Sequence, residues 1–151
     1  MAIDYPSGLP LGLHSGRTYQ VVSPLMRTQM TSGRAKQRRR YGFVPEMAQI
    51  QWLFNNLEGQ AFEGWWRDQL LDGALWFSMI LQTPLGLSPH DCRFTGVYTG
   101  PTLVGPDLWQ YSAELELRER AVVPEGDGLF PDDILYSEIF DLTINREMPP
   151  A

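Results

Sequence analysis

The chain has 151 residues with 12 basic and 18 acidic side chains, a formal net charge of -6, a single cysteine and two histidines. That length buries one substantial core and hardly two, so a single domain with attached arms is expected. One Cys, Cys92, excludes an internal disulfide framework; the lack of a Cys-x-x-Cys pair speaks against structural zinc, and no apolar run reaches the roughly 18 residues a bilayer span needs.

Met1 to Gly16 carries Pro6, Gly8, Pro10, Gly12 and Gly16 with isolated leucines between them. That punctuation breaks helices and leaves strands no room, so the segment is expected to be an extended arm or a loop draped over something else, with Leu9, Leu11 and Leu13 able to press into a groove. Thr18 to Val22 suits a strand ended by Ser23-Pro24. From Leu25 to Arg40 two strands flanking a long, exposed basic loop are expected, with Arg27 and the run Arg38 to Arg40 at its edges.

Ala48 to Leu81 reads as strand, helix, strand. Positions 48, 50, 52 and 54 are apolar with glutamines at 49 and 51, the period of a half-buried strand. Asn55 followed three residues later by Glu58 is a capping-box start, and Leu57, Ala61, Phe62, Trp65, Trp66 and Leu70 recur at helical spacing. Asp72-Gly73 supplies the stop, which places a helix over about residues 56–72, and Ala74 to Leu81 resumes as an aromatic-rich strand.

A turn-rich link, Gln82 to Pro89, leads to a strand over Asp91 to Tyr98. Gly100-Pro101 and Gly105-Pro106-Asp107 turn the chain, and Leu108 to Glu119 gives the cleanest alternation in the sequence. Trp109, Tyr111, Ala113, Leu115 and Leu117 point one way, while Gln110, Ser112, Glu114, Glu116 and Arg118 point the other, as in an antiparallel strand with one face in the core. The expected core therefore includes Trp52, Phe62, Trp66, Trp76, Phe94, Trp109, Tyr111 and Leu115. Beyond Val123 the chain mixes acids with Phe130, Ile134 and Phe140, and Pro131 suits the first turn of a short helix. The division expected is an arm over 1–16, a β-rich core over 17–120 and an acidic extension over 121–151.

Charge is strongly segregated. Arg27, Arg34, Lys36, Arg38, Arg39 and Arg40 fall in one stretch without an acid, whereas residues 121–151 hold seven acids against the single base Arg146. Opposite segments of this kind join copies or neighbours by complementary charge, unless both are plain solvated surface. Arginines beside Tyr41 and Phe43 also suit a single-stranded nucleic acid over residues 34–43, since neutralised phosphates release counterions and bases stack on aromatics. Arginine over lysine, with Lys36 the only lysine, fits bidentate pairing with carboxylates across a protein interface at least as well.

Catalytic patterns are sparse. There is no phosphate-cradling Gly-rich loop and no nucleophile elbow. His90-Asp91-Cys92 gathers three polar groups, but neighbours on a strand alternate faces and no further ligand is legible, so a structural Cys is expected. Glu114 with Glu116, or Glu63 with Asp68, are candidate carboxylate pairs for glycan hydrolysis, but nothing places one in an apolar pocket. The tryptophans suit a sugar-stacking platform or, more simply, core.

Taken together, Gln51-Trp52-Leu53-Phe54, Phe62-Glu63-Gly64-Trp65-Trp66, Gly73-Ala74-Leu75-Trp76-Phe77, Thr83-Pro84-Leu85-Gly86, Cys92-Arg93-Phe94 and Trp109 to Glu116 resemble tailed-bacteriophage minor tail proteins of the tail-tip, or distal-tail, ring type. The resemblance covers roughly Arg27 to Arg120. It implies a mainly β (α+β) fold, an antiparallel β-sandwich or barrel of tail-tube type with one flanking helix, whose copies close into a ring, commonly of six. The ring would join the tail tube to tip and hub proteins in the virion, with DNA only as passing cargo. A head-tail connector or short-tail adaptor ring is the alternative placement. No catalytic residue, cofactor, metal or membrane insertion is implied. Assembly in a bacterial cytoplasm is expected, with Arg27, Arg34, Lys36, Arg38, Arg39, Arg40, Phe130, Ile134 and Phe140 as interface candidates and Glu114 and Glu116 facing the channel.

Overall fold

A computed structural model of the chain describes residues 3–139, which form two compact units divided after Ala121. The first is mainly β with one long helix. Its strands are β1 (Ile3–Asp4), β2 (Thr18–Val21), β3 (Leu25–Thr28), β4 (Lys36–Arg39), β5 (Glu46–Phe54), β6 (Phe77–Thr83), β7 (Gly86–Phe94), β8 (Thr99–Val104) and β9 (Leu108–Leu117), with helix α1 (Asn56–Asp68) between β5 and β6. Seven strands share one mixed sheet in the order β1-β6-β7-β9-β5-β2, with β8 also on β9; β1 runs parallel to β6 and the other pairs are antiparallel. β3 and β4 form a separate two-stranded ribbon.

The alternation in β5 and β9 sets the central register. Trp52 lies opposite Tyr111 and Ala48 opposite Leu115, so the apolar positions of both strands share one face and are buried there. The sheet is strongly coiled. β2 and β6 lie four strand spacings apart, about 19 Å in a flat sheet, yet the Tyr19 hydroxyl donates to the Gln82 carbonyl at 2.8 Å. A tyrosine covers that separation only if the ends of the sheet curl toward each other. The pairing thus shows one coiled sheet with no ladder closing β6 onto β2.

The amino-terminal segment occupies the gap. Tyr5 donates its N–H to Ser78 of β6 and Leu13 donates its N–H to Gln51 of β5, so residues 5–13 link the two strands. Tyr5 and Leu9 are buried in the common core, while Leu11 is exposed and Leu13 half-buried. A Cβ on Gly12 would collide with Ile50, which explains why the arm can cross there at all. The expected arm is therefore packed into the first unit.

α1 starts as its capping box requires, with Asn55 accepting from the Glu58 N–H at 2.9 Å and the Glu58 carboxylate accepting from the Asn55 N–H at 3.0 Å. Phe62, Trp65, Trp66 and Leu70 are buried with Gly59, whereas Leu57 and Ala61 are exposed. At 100° per residue the buried stripe centres between Phe62 and Trp66, which puts Leu57 and Ala61 on the far side of the helix. The helix also ends at Asp68, short of the expected residue 72. Leu71, at φ 50°, already takes the left-handed conformation, the Asp72 N–H reaches the Trp66 and Arg67 carbonyls, and Gly73 (φ 83°) completes the turn.

Phe62 is the hub of the core, with Trp52, Phe54, Trp65, Phe94, Tyr98 and Tyr111 all within ring-contact distance. Trp52, Phe62, Trp66, Phe94, Tyr111 and Leu115 are buried as expected. Two expected core residues are not. Trp109 is half-buried against the core, with its indole N–H donating to Asn56 at 2.6 Å. Trp76 precedes β6 and stays half-buried outside the core, because inward alternation begins only at Phe77.

Three boundaries move for one reason. The link Gln82–Pro89 is a β-hairpin, with Pro84-Leu85 at its turn and Ser88 to His90 already paired to β6. β7 leaves β9 at Phe94, and Gly100-Pro101 lies inside β8, which takes over that edge of β9 with a bulge between Thr99 and Thr102. Pairing partners distant in sequence override the local turn signals.

The second unit, as far as described, holds a 3-10 turn at Asp127–Leu129 and the short helix α2 (Pro131–Leu135), which begins at Pro131 as expected. Phe130 and Ile134 are exposed; Phe140 lies outside the described residues.

Candidate functional site

β2 and β5 pair up to Val21 and Glu46, and the Val22 N–H still reaches the Pro45 carbonyl at 3.2 Å. There the ladder breaks, because Pro24 and Pro45 have no N–H to offer. It resumes when the Arg40 N–H meets the Pro24 carbonyl at 2.7 Å and continues as β3–β4. The basic ribbon is thus an outward continuation of the β2–β5 pair beyond a proline break, and all eight of its strand residues are exposed.

Register decides where the charges point. Met26 is opposite Arg38 and Thr28 opposite Lys36 on one face; Leu25 is opposite Arg39 and Arg27 opposite Gln37 on the other. Both faces are therefore cationic. Arg27, Lys36, Arg38 and Arg39 sit on the strands themselves, Arg34 in the turn and Arg40 just past β4 with its guanidinium 5.2 Å from the Tyr41 ring centre. The two expected strands flanking a basic loop are present, but the loop is only residues 29–35, so most of these charges lie on the strands themselves.

The ion pairs among the described residues join Arg67 to Asp68, Arg93 to Glu116 and Arg118 to Asp91, so none of the six ribbon cations has a carboxylate partner there. Apolar side chains lie among them: Leu25, Met26, Met30 and Tyr41 are exposed, and Phe43 is 96% exposed. Six cations without a carboxylate partner among the described residues, interleaved with Met, Leu and aromatic groups, form the most distinctive surface of the first unit. The apolar neighbours were visible in the sequence, but their shared exposure follows only from the ribbon standing apart from the main sheet.

Glu114 and Glu116 lie on the outer face of β9, opposite the core. Glu114 accepts from Gln49 at 2.8 Å and from Thr95 at 3.2 Å, and Glu116 accepts from Arg93 at 2.8 Å. Both are engaged by cross-strand neighbours on one continuous sheet face. Glu63 accepts from the Tyr111 hydroxyl at 2.9 Å, whereas Asp68 is paired to Arg67, so the two helix carboxylates serve different partners. The bond from Arg67 holds the Asp68 carboxyl below its usual range.

Trp76 has a role no sequence pattern indicated. The guanidinium groups of Arg93 and Arg118 each lie 4.7 Å from its ring centre, and each also holds an acid, Glu116 and Asp91. The cluster pins the turn after α1 to the outer face of β7 and β9 by cation–π and ionic contacts together.

His90, Asp91 and Cys92 do not form a site. Cys92 is fully buried, and burial, reinforced by Asp91, pushes its thiol up to about 12. His90 Nε2 is 2.9 Å from the Ser88 hydroxyl. No metal-binding cluster of three or more His, Cys, Asp or Glu occurs among the described residues, and none of their helices is long and apolar enough to cross a membrane.

A shallow cleft of about 290 Å³ runs between α1 and the β8–β9 pair, lined by Asn56, Gln60, Glu63, Pro101, Trp109 and Tyr111. Its Asn56–Trp109 and Glu63–Tyr111 pairs satisfy each other, and burial followed by the Glu63 bond raises the Tyr111 phenol. Neither an activated nucleophile nor an unpaired acid results. The chain matches no protein-family model, and no curated protein is significantly similar to it.

Proposed function

We propose that this chain is a non-enzymatic assembly subunit, and that it builds a ring of like copies in a bacteriophage tail, at the distal tail or tip, around the channel that passes DNA and between tube and tip proteins. The observation that carries the assembly reading is the β3–β4 ribbon, with six cations unpaired among the described residues beside exposed Leu25, Met26, Met30 and Phe43. Arginine, methionine and aromatics are enriched at protein interfaces and lysine is depleted there, and the ribbon has five arginines to one lysine. Unpaired guanidinium forks select carboxylates on a partner. The placement in a phage tail rests on the sequence resemblance over Arg27 to Arg120.

The first unit uses its own amino-terminal segment to complete its core, so association falls to what stands away from the sheet. A ring needs such a surface, since one side of each copy must fit a different side of the next. Electron microscopy of the purified protein and immunolabelling of purified virions test the proposal: closed rings and tail labelling are expected, and virions without the protein would defeat it. Replacing Arg38, Arg39 and Arg40 by Glu should leave folding intact and abolish incorporation. Ribbon cations beside the exposed Tyr41 and Phe43 also suit a single-stranded nucleic acid, whose phosphates they would neutralise and whose bases stack on aromatics; oligonucleotide binding with a steep salt slope and no ring would favour that reading.

A further inference from the structure

We infer that the ribbon's partner is a second copy of this chain, and that the acidic segment beyond Ala121 of that copy supplies the carboxylates. The inference rests on the assembly reading and names its interface. Six cations without an acid lie between Arg27 and Arg40, and seven acids with one base lie in residues 122–151, so the two stretches nearly neutralise each other. No other stretch of the chain separates charge so completely. The ribbon cations have no carboxylate within 4.0 Å among the described residues, and the acidic segment is the stretch of this chain whose charge complements theirs. The apolar groups match as well: Leu129, Phe130 and Leu135 are exposed at 77%, 64% and 72%, as the ribbon's Met30 and Phe43 are at 57% and 96%.

A ribbon on one copy and an acidic segment on the next make a heterologous contact, the kind that propagates and closes into a ring when its rotation allows. Complementary charge would set the docking register and speed encounter, while the apolar side chains would exclude water from the paired groups. An unrelated acidic protein would satisfy the ribbon too, but would leave the matched acidic segment without a purpose.

The test compares four full-length proteins by sedimentation at low and high salt: wild type; Arg38, Arg39 and Arg40 changed to Glu; Asp127, Asp132 and Asp133 changed to Lys; and both sets combined. Wild type should self-associate at low salt, each single set should weaken association at least about tenfold, and the combined set, with the two charges exchanged, should restore it. A parallel set with Asn at the three aspartates, which suits the start of α2, should weaken association to a lesser degree and guards against a folding artefact. A wild type that stays monomeric, an acidic-segment reversal that changes nothing, or a combined protein no better than either reversal would overturn the inference. Failure of the tail reading is separate: it shows as absence from virions, whatever the four proteins do in solution.

Discussion

Five tryptophans in this chain meet three different environments, and single-residue predictions follow from that. Trp52, Trp65 and Trp66 are in the core, Trp109 is at its margin and Trp76 is on the outer face between two arginines. Phe62→Ala, which removes the hub of the aromatic core, should cost about 3–5 kcal/mol in denaturant unfolding. Trp76→Ala should cost only about 1 kcal/mol, the scale of surface cation–π contacts, and not the core figure. Cys92 makes a pH prediction. Its folded thiol is raised to about 12 from an ordinary 9.0, so below pH 9 folded and unfolded chains bind the same proton and stability is unaffected. Between those values the unfolded chain binds fewer protons than the folded one, and stability falls as pH rises. Denaturant midpoints should be flat from neutral pH to about 9 and then decline, with part of the decline removed in Cys92→Ala; alkylation of the native thiol at pH 8 should be negligible.

At the scale of elements, α1 was legible because its start is local chemistry. Asn55 and Glu58 form the capping box their spacing predicts, and Asn55→Ala should cost about 1 kcal/mol. Its end and its buried face were less legible. Leu57 and Ala61 fit the helical period but lie opposite the sheet, and only the position of β5, β7 and β9 decides which apolar residues are covered. Gly73→Ala should destabilise by more than about 1 kcal/mol, since φ is 83° and a Cβ would lie 2.9 Å from Trp66 Nε1. The ribbon behaves differently. Two strands without a third are marginal, so the β3 and β4 amides should exchange with solvent far faster than those of β5 and β9 in hydrogen-exchange mass spectrometry. Reversing Arg38 to Arg40 should move the unfolding midpoint little, within about 0.5 kcal/mol.

For the whole molecule, the amino-terminal segment matters most. Its prolines and glycines predict an extended arm or a loop draped over something else, and it lies between β6 and β5 of its own unit, with Tyr5 and Leu9 in the core. Removing residues 1–16 should expose the adjoining strand edges and give an aggregating, poorly folded protein, and Gly12→Ala should mimic part of that loss. Soluble expression and a normal thermal transition from the truncated chain would contradict this placement. A first unit that completes its own core in this way leaves assembly to charged, projecting parts.

The strands of the central ladder, the start of α1, the turn at Gly105-Pro106-Asp107 and the segregation of charge are all determined by the sequence alone. Each depends on residues within one turn or one alternation of each other, where side-chain period and capping chemistry act directly. How distant pieces share space is set by long-range packing: β7 giving way to β8 along β9, the hairpin through Pro89, the coil that brings Tyr19 to Gln82, the sorting of the tryptophans and the closure by residues 5–13. Those depend on pairing and burial between residues tens of positions apart, and no local pattern encodes which partner a strand edge or an apolar face will find.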